Sequence, residues 1–154
     1  MIRPFQPGDA SPCCDLIDAC LDEDPSYSPA LLRKIRNIET PENMMERARL
    51  FYVAVYESGG RILGVTGLDL NEIRLMHVSP EHRRQGIGRR LLEHIIGMVP
   101  PDLFADIFVY SSLRASDFYR ACGFVDRGPF AFNLDGEVLQ TVFMAFPLSP
   151  SPSR

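Results

Sequence analysis

Residues 74–98, with the sequence RLMHVSPEHRRQGIGRRLLEHIIGM, constrain the fold of this chain more than any other stretch. The first part, up to Val78, is short and apolar, as expected for a buried strand. From residue 87 onward apolar residues recur three or four positions apart, which indicates a helix. A strand, a tight polar turn and a helix in this order predict the crossover that joins two parallel strands.

Two glycines, Gly86 and Gly88, stand where this helix begins. A glycine lets the backbone approach an anion closely, and the first N–H groups of a helix are unpaired and lie at its positive end. Phosphate suits such a site. Four arginines surround the turn: Arg83, Arg84, Arg89 and Arg90. Alone, a G-x-G of this kind is close to a chance occurrence, and the arginines could form a solvated helix face, so the context must decide.

Composition describes an ordinary globular chain. Of the 154 residues, 45% are hydrophobic and 23% charged, and the formal net charge is −4. The negative charge argues against nucleic acid as a partner, and no apolar run approaches the roughly 20 residues of a membrane span. No signal-peptide pattern follows Met1, so we expect a cytoplasmic protein. We expect one domain over residues 1–147 and a flexible Ser/Pro-rich tail over residues 148–154.

The four cysteines do not form a metal or redox motif. They are Cys13, Cys14, Cys20 and Cys122, and no C-x-x-C pair occurs among them. Cys13 and Cys20 share a helix stripe with Leu16, Ile17 and Leu21, which predicts core positions. We therefore expect structural, reduced thiols and no metal site.

The remaining patterns complete an α/β (α+β) chain. Strands are predicted near residues 2–5, 51–56, 61–70, 72–78, 103–110, 124–132 and 138–147, and helices after Asp9, over 29–38, over 41–49 and after Ser111 or Ser112. The early hairpins favour antiparallel pairing, and the crossover favours a parallel pair at the centre. We predict a mixed sheet of about seven strands with helices on both faces. Gly64 and Gly67, inside a strand, indicate close approach of a backbone or a ligand.

Two motifs in order carry a family resemblance. RRQGIG at residues 83–88 fits the pattern Arg/Gln-x-x-Gly-x-Gly/Ala, and FYRACGF at residues 118–124 fits a second marker, with Ala115 before it. The chain resembles the GNAT superfamily of acyl-coenzyme A-dependent N-acetyltransferases over residues 1–147. The resemblance implies a GNAT-like sheet whose central parallel strands splay around the cofactor.

The resemblance also implies a donor and the residues that hold it. The donor would be acetyl-coenzyme A, with its pantetheine arm on the backbone of Met76 and Val78 and its pyrophosphate on the backbone of residues 84–89. Many members carry Asn where this chain has Ser112, so that contact departs from the family pattern. The implied cofactor-binding residues are Met76, His77, Val78, Arg83, Arg84, Gln85, Gly86, Ile87, Gly88, Arg89, Ser112, Ala115 and Tyr119.

For catalysis, the resemblance implies Tyr119 as the general acid for the departing thiolate and Glu72 as the base for the amine. A backbone N–H near residues 76–78 would stabilise the oxyanion. Each side chain also has a simpler interpretation, because Tyr119 could be a core aromatic and Glu72 a surface carboxylate. His77 should point away from Met76 and Val78, and a core or supporting role suits it better than that of a base.

The acceptor stays open between a small amine, an amino acid, an antibiotic and a protein amine. The acidic segment before residue 50 either attracts a cationic amine or is a solvated helix surface. A catalytically silent acyl-coenzyme A sensor is the alternative function. A dinucleotide-binding oxidoreductase does not fit, because Leu91 stands where G-x-G-x-x-G needs a third glycine. We expect acetyl-coenzyme A and an amine as partners, no nucleic acid or membrane, and a monomer or homodimer.

Overall fold

A computed structural model describes residues 1–149 of the chain. Within this part the chain forms seven strands and five α-helices. In chain order they are β1 (Ile2–Pro4), α1 (Ala10–Asp22), α2 (Pro29–Ile38), α3 (Pro41–Leu50), β2 (Tyr52–Ser58), β3 (Arg61–Asp69), β4 (Glu72–Val78), α4 (Ile87–Ile96), β5 (Asp106–Ser112), α5 (Ser116–Ala121), β6 (Val125–Leu134) and β7 (Glu137–Pro147).

The strands form one mixed sheet, as predicted. Across residues 1–149 its seven strands follow the order β1-β2-β3-β4-β5-β7-β6, and only β4 and β5 run parallel. One core cluster joins α1 and α3 to one face of β2, β3 and β4, and a second joins α4 and α5 to the other face. Helices therefore cover both faces, and we call these the α1 face and the α4 face.

The central parallel pair separates soon after it begins. Only Glu72 with Phe108 and Ile73 with Val109 are in register between β4 and β5. On its other side β4 stays paired with β3 up to Val78, and β5 stays paired with β7 up to Ser112. The sheet thus contains a V-shaped gap between β4 and β5, and the predicted splay at the centre is confirmed.

A β-bulge in β4 sets which side chains face which helix. Gly67 pairs with Leu75 and Leu68 pairs with Ile73, so Arg74 is the extra residue. Ile73 packs in the α4-face cluster, whereas Leu75, two residues on, packs in the α1-face cluster. The bulge reverses the alternation that a regular strand would keep.

Helix starts follow the sequence signals closely. Ser28 Oγ accepts a hydrogen bond from the Leu31 N–H at 3.1 Å, and Thr40 Oγ1 accepts one from the Asn43 N–H at 3.2 Å. In both helices a proline follows the cap, where its missing N–H costs nothing. The second and third helices therefore begin where they were predicted.

Three boundaries differ from the prediction. The apolar pattern that continues to Val99 predicts a helix up to Pro100, but the helix ends at Ile96, with Gly97 as its C-cap. The strand predicted from residue 103 begins at Asp106, since residues 101–103 form a turn. Ser111 and Ser112 belong to β5, which pairs with β7 as far as Ser112, so the next helix starts only at Ser116.

The interior glycines of β3 allow close packing of side chains. A Cβ at Gly64 would lie 2.8 Å from Leu91 Cδ1, and one at Gly67 would lie 2.8 Å from Phe51 Cε2. The close approach predicted at these glycines is present, but the closest contacts are made by neighbouring side chains. Gly64 lets α4 lie against β3, which holds the start of α4 beside the gap.

The division into a domain and a tail at residue 147 stays a prediction. Leu148 donates its N–H to the Ala105 carbonyl at 2.9 Å and packs against the α4-face cluster. Residues 150–154, which make up most of the predicted tail, lie outside the described residues.

Candidate active site

A groove of about 550 Å³ passes through the gap between β4 and β5. At one end it is lined by the start of α4 and by α5, and at the other by the end of α1 and the loop that follows it. Twelve of the thirteen implied cofactor-binding residues line it: Met76, His77, Val78, Arg83, Arg84, Gly86, Ile87, Gly88, Arg89, Ser112, Ala115 and Tyr119.

The exposed edge of β4 offers backbone groups to this groove. The Ser79 N–H donates to the Leu63 carbonyl, so in the antiparallel alternation the main chain of His77 also faces β3. The N–H and C=O groups of Met76 and Val78 therefore point into the gap. The Val78 carbonyl accepts a hydrogen bond from the Cys20 thiol at 3.3 Å, which confirms its direction.

The turn before α4 forms an anion cradle. Arg84 and Gly86 have left-handed backbone angles, with φ of 63° and 82°. These angles aim the first N–H groups of α4 at the groove, where they have no partner within the helix. A Cβ at Gly88 would lie 3.1 Å from Phe118 Cε1, so this glycine lets α5 close over the cradle.

Positive charge collects at the cradle end. Arg83, Arg84 and Arg89 line the groove, whereas Arg90 donates to the Tyr56 hydroxyl at 3.2 Å outside it. Arg114, from the loop before α5, also lines the groove. Glu23 at the end of α1 pairs with both Arg83 and Arg114, so one carboxylate links the two walls at the groove mouth.

Tyr119 on α5 reaches the groove from within the core. The residue is 3% exposed and packs edge-on against Phe118 and Phe124. Burial, with a smaller contribution from Cys122, raises the pKa of its phenol, so the group stays protonated. No group among the described residues hydrogen-bonds the phenol oxygen. Every fully buried side-chain oxygen in residues 1–149 does have a partner, so the phenol oxygen is not fully buried. The oxygen is therefore open to the groove.

His77 also lines the groove, through its side chain. Its register partner Val65 lies in the α1-face cluster, so the imidazole is on that face and away from Met76 and Val78, as predicted. Burial lowers the pKa of His77 to about 4. The imidazole is consequently neutral at physiological pH.

Glu72 and Gln85 do not line the groove. Glu72 opens β4 at the closed end of the gap, beside Phe108, and lies 3.7 Å from Arg74. Side chains alternate along a strand, and the neighbouring residues Ile73 and Val109 pack on the α4 face. The carboxylate of Glu72 therefore lies on the α1 face. Burial raises the pKa of Glu72, and the positive charge of Arg74 partly offsets this.

Several groove residues were missed by the sequence reasoning. They include Cys20, Asp24, Tyr27 and Arg114. Cys20 was expected in the core, but it is half-buried at the groove, whereas Cys13 is fully buried as predicted. The acidic segment is mostly a surface of ion pairs, such as Glu39 with Arg47 at 2.7 Å, with Asp24 as a buried exception. A buried carboxylate after a helix has no sequence signature.

Two further findings concern other kinds of site. Within residues 1–149 no group of three or more His, Cys, Asp or Glu side chains is arranged to hold a metal ion. None of the helices in the described part has the length and apolar character needed to cross a membrane.

The architecture and the site together define a class of protein. A mixed sheet that splits at its central parallel pair, with an anion cradle at the start of the following helix, is the GNAT fold. Residues 23–134 match the family described as Acetyltransferase (GNAT) domain. The chain therefore belongs to the GNAT acetyltransferase family. No curated protein matches the chain.

Solved structures share this fold at low sequence identity. A GCN5-related N-acetyltransferase from Rhodopseudomonas palustris is 18% identical, with 96% of this chain and 95% of that one aligned and a TM-score of 0.88. The PaiA N-acetyltransferase from Thermoplasma acidophilum, solved with coenzyme A, is 15% identical, with 96% of this chain and 98% of that one aligned and a TM-score of 0.77. A ribosomal-protein-alanine N-acetyltransferase from Brucella melitensis is 21% identical, with 96% of this chain and 99% of that one aligned and a TM-score of 0.70.

Proposed function

We propose that the protein is an N-acetyltransferase that moves the acetyl group of acetyl-coenzyme A to a primary amine, with both substrates bound at once. The observation that carries the proposal is the continuity of the groove. Backbone groups of Met76 and Val78 that face the gap lead directly to the cradle at Gly86. One ligand with an amide-rich arm and a pyrophosphate fits both parts.

The donor would bind chiefly to main chain. The amides of its arm pair with Met76 and Val78 as an added strand would. The N–H groups of residues 84–89, Gln85 included, hold the pyrophosphate at the positive end of α4. Arg83, Arg84 and Arg89 supply positive charge for the 3′-phosphate. The PaiA N-acetyltransferase, with the same fold, was solved with coenzyme A, which supports this assignment.

Ser112 and Ala115 would close the donor site on the β5 side. Ser112 Oγ accepts a hydrogen bond from the Ala115 N–H at 3.2 Å. The Ser112 hydroxyl, which also interacts with the Tyr27 phenol, would face a carbonyl of the donor in place of the Asn amide of many family members.

The reaction would need a stabilised oxyanion and a proton donor. The amine nitrogen attacks the thioester carbonyl, the carbon–sulfur bond breaks, and the products are an amide, coenzyme A and the proton lost by the ammonium. A gap-facing N–H of Met76 or Val78 stabilises the oxyanion. Tyr119, which its raised pKa keeps protonated, donates towards the departing sulfur.

Glu72 would accept the proton of the amine through water. Most of an amine with a pKa near 10 is protonated at neutral pH, so a base is needed. Glu72 lies on the α1 face at the closed end of the gap, and burial raises its pKa, which makes it a stronger base than a surface carboxylate. Water is needed because Glu72 does not line the groove itself.

Release of free thiol from acetyl-coenzyme A, measured with a panel of primary amines, tests the proposal. We expect turnover with at least one amine, strongly reduced in Tyr119→Phe. Tight binding of coenzyme A without turnover on any amine would contradict the enzyme and favour the sensor. Tyr52→Phe, whose hydroxyl contacts His94 at 2.8 Å away from the groove, is the matched control.

A further inference from the structure

The α1 end of the groove contains a carboxylate that the proposed transfer does not use. Asp24 is 8% exposed and lines the groove. Its Oδ1 accepts hydrogen bonds from the N–H of Ser26 at 3.0 Å and from the hydroxyl of Ser26 at 2.5 Å. Oδ2 has no hydrogen-bond partner among the described residues. Because every fully buried side-chain oxygen in this part of the chain has a partner, Oδ2 is not fully buried and is accessible from the groove.

The surroundings of Asp24 suit a positive group. His77, across the groove, is neutral because burial lowers its pKa to about 4, so it does not repel a cation. The charged groups that act on His77 are Glu39, Arg47 and Arg83. Glu39 and Arg47 neutralise each other in a two-bond pair, and Arg83 pairs with Glu23. Arg114, which also lines the groove, pairs with the same Glu23 and donates to its backbone carbonyl. The side-chain carboxylate of Asp24 bonds only to Ser26 among the described residues, so it has no cationic partner.

An aromatic wall lies on β5 and on the β6–β7 hairpin, next to the groove. We use this name for five residues whose neighbouring ring centroids lie 4.9–6.0 Å apart: Phe108, Tyr110, Phe130, Phe132 and Phe143. None of the five belongs to a core cluster of the described residues, and Phe130 is 44% exposed. Stacked rings that are left half-open offer a surface for another ring.

The register places this wall on the same face as Asp24. Ile107 and Val109 pack in the α4-face cluster, so the alternating residues Phe108 and Tyr110 face the α1 side. Ser112 continues that alternation and lines the groove, about 6.6 Å beyond Tyr110 along the strand. Tyr27 also lines the groove, where its phenol interacts with the Ser112 hydroxyl and with the charge of the Asp24 carboxylate. Asp24, Tyr27 and Ser112 therefore line one groove, and the wall begins at Tyr110, the next residue of the same face along β5.

We propose that the acceptor is a primary amine with an aromatic group, whose ring lies on the aromatic wall and whose ammonium is first captured by Asp24, before the nitrogen moves to the thioester and loses its proton through water to Glu72. This inference rests on the proposed acetyl transfer and specifies its acceptor. A buried carboxylate with a free oxygen selects a cation over a neutral or anionic ligand. The rings select an aromatic group over a short aliphatic chain.

Calorimetric titration of amines into the protein saturated with coenzyme A tests the inference without turnover. We expect phenethylamine to bind at least tenfold more tightly than propylamine, and 3-phenylpropionate, which has the ring without the cation, to bind at least tenfold more weakly than phenethylamine. Equal affinity for phenethylamine and propylamine, or for phenethylamine and 3-phenylpropionate, would overturn it.

Matched variants separate the two parts of the site. Asp24→Asn should weaken the binding of phenethylamine at least tenfold. Asp15 is an exposed residue of α1, and Asp15→Asn should leave the affinity for phenethylamine unchanged. Phe130→Ala should remove most of the preference for phenethylamine over propylamine. Val138→Ala, which is similarly exposed on the opposite face of the hairpin, should keep that preference. Unchanged binding in both Asp24→Asn and Phe130→Ala would overturn the inference.

The two proposals can fail separately. Thiol release with aliphatic amines and no preference for phenethylamine would leave acetyl transfer standing and contradict the aromatic acceptor. Absence of thiol release with every amine would contradict acetyl transfer, and the binding titration would still decide whether Asp24 and the wall form an amine site.

Discussion

The two ends of the groove are built from different parts of the chain. The cradle end is made of main-chain N–H and C=O groups of β4 and of the turn before α4, with glycines where side chains would obstruct them. The α1 end is made of side chains, among them Asp24, Tyr27 and His77, from elements far apart in sequence. A site made of backbone needs residues of fixed type at fixed spacing, whereas a site made of side chains can change residue by residue. We therefore expect the cradle end to be the part shared within the family and the α1 end to set the choice of acceptor.

The largest expected effect lies where the two ends meet. Tyr119→Phe removes the proton donor and leaves the aromatic packing, so we expect kcat to fall about a hundredfold with little change in KM. Steady-state kinetics with acetyl-coenzyme A measures both constants. An equal kcat for the variant and the native protein would mean that Tyr119 is a core residue only.

A second variant changes the cradle end of the groove alone. Gly86 has a φ of 82°, which a β-branched residue adopts only with strain of about 1–3 kcal/mol. A valine side chain at this position would also enter the pyrophosphate site, so Gly86→Val should raise the Kd for coenzyme A by about thirtyfold, which corresponds to about 2 kcal/mol. Gly59→Val, at φ 58° in the β2–β3 hairpin, imposes similar strain away from the groove and should leave that Kd unchanged. Equal effects of the two variants would show that Gly86 acts through stability.

The third prediction concerns pH and the α1 face. A base must be ionised, so activity falls as the pH drops through the pKa of Glu72. Burial raises that pKa, which places the acid limb of kcat/KM above the usual carboxyl value of about 4.3. Glu72→Gln should lower kcat about tenfold and remove the limb. A limb that persists in the variant would assign the base to another group.

These contrasts explain how much the sequence could predict. The mixed sheet and the cradle followed from strand patterns, from Gly86 and from the helix after it, and the central gap followed from the resemblance to the GNAT superfamily. The bulge at Arg74 could not be predicted, because it depends on pairing with β3 and not on β4 alone. Asp24 was missed because its burial comes from contacts with distant elements. Ser111 and Ser112 end β5, because pairing with β7 outweighs their local preference, so α5 starts later than predicted, although Ser112 still accepts a hydrogen bond from the Ala115 N–H as a cap would.

The smallest expected effect concerns the support of α1, whose far end leads to Asp24, the residue proposed to bind the acceptor. Asp9, just before α1, accepts hydrogen bonds from Arg3 at 2.8 and 2.9 Å and from the Gln6 N–H, which lower its pKa. Asp9→Asn should cost about 1 kcal/mol in the free energy of unfolding at pH 7.

Because the pKa of Asp9 is lowered in the folded state, its contribution exists above the unfolded value of about 3.9 and is lost as the pH falls through the folded value. Urea unfolding should show that the difference in the free energy of unfolding between the native protein and Asp9→Asn is smaller at pH 2 than at pH 7. Asp18→Asn, an exposed partner of Arg36, should have little effect at either pH. A difference that does not depend on pH would contradict the ion-pair explanation.

Amide NMR during titration with coenzyme A tests the central claim most directly, because the claim is that main chain holds the donor. We expect the N–H signals of Met76, Val78 and residues 86–89 to shift and to gain protection from exchange, while those of the β6–β7 hairpin around Gly136 stay unchanged. Binding without changes at Met76, Val78 and residues 86–89 would contradict the account.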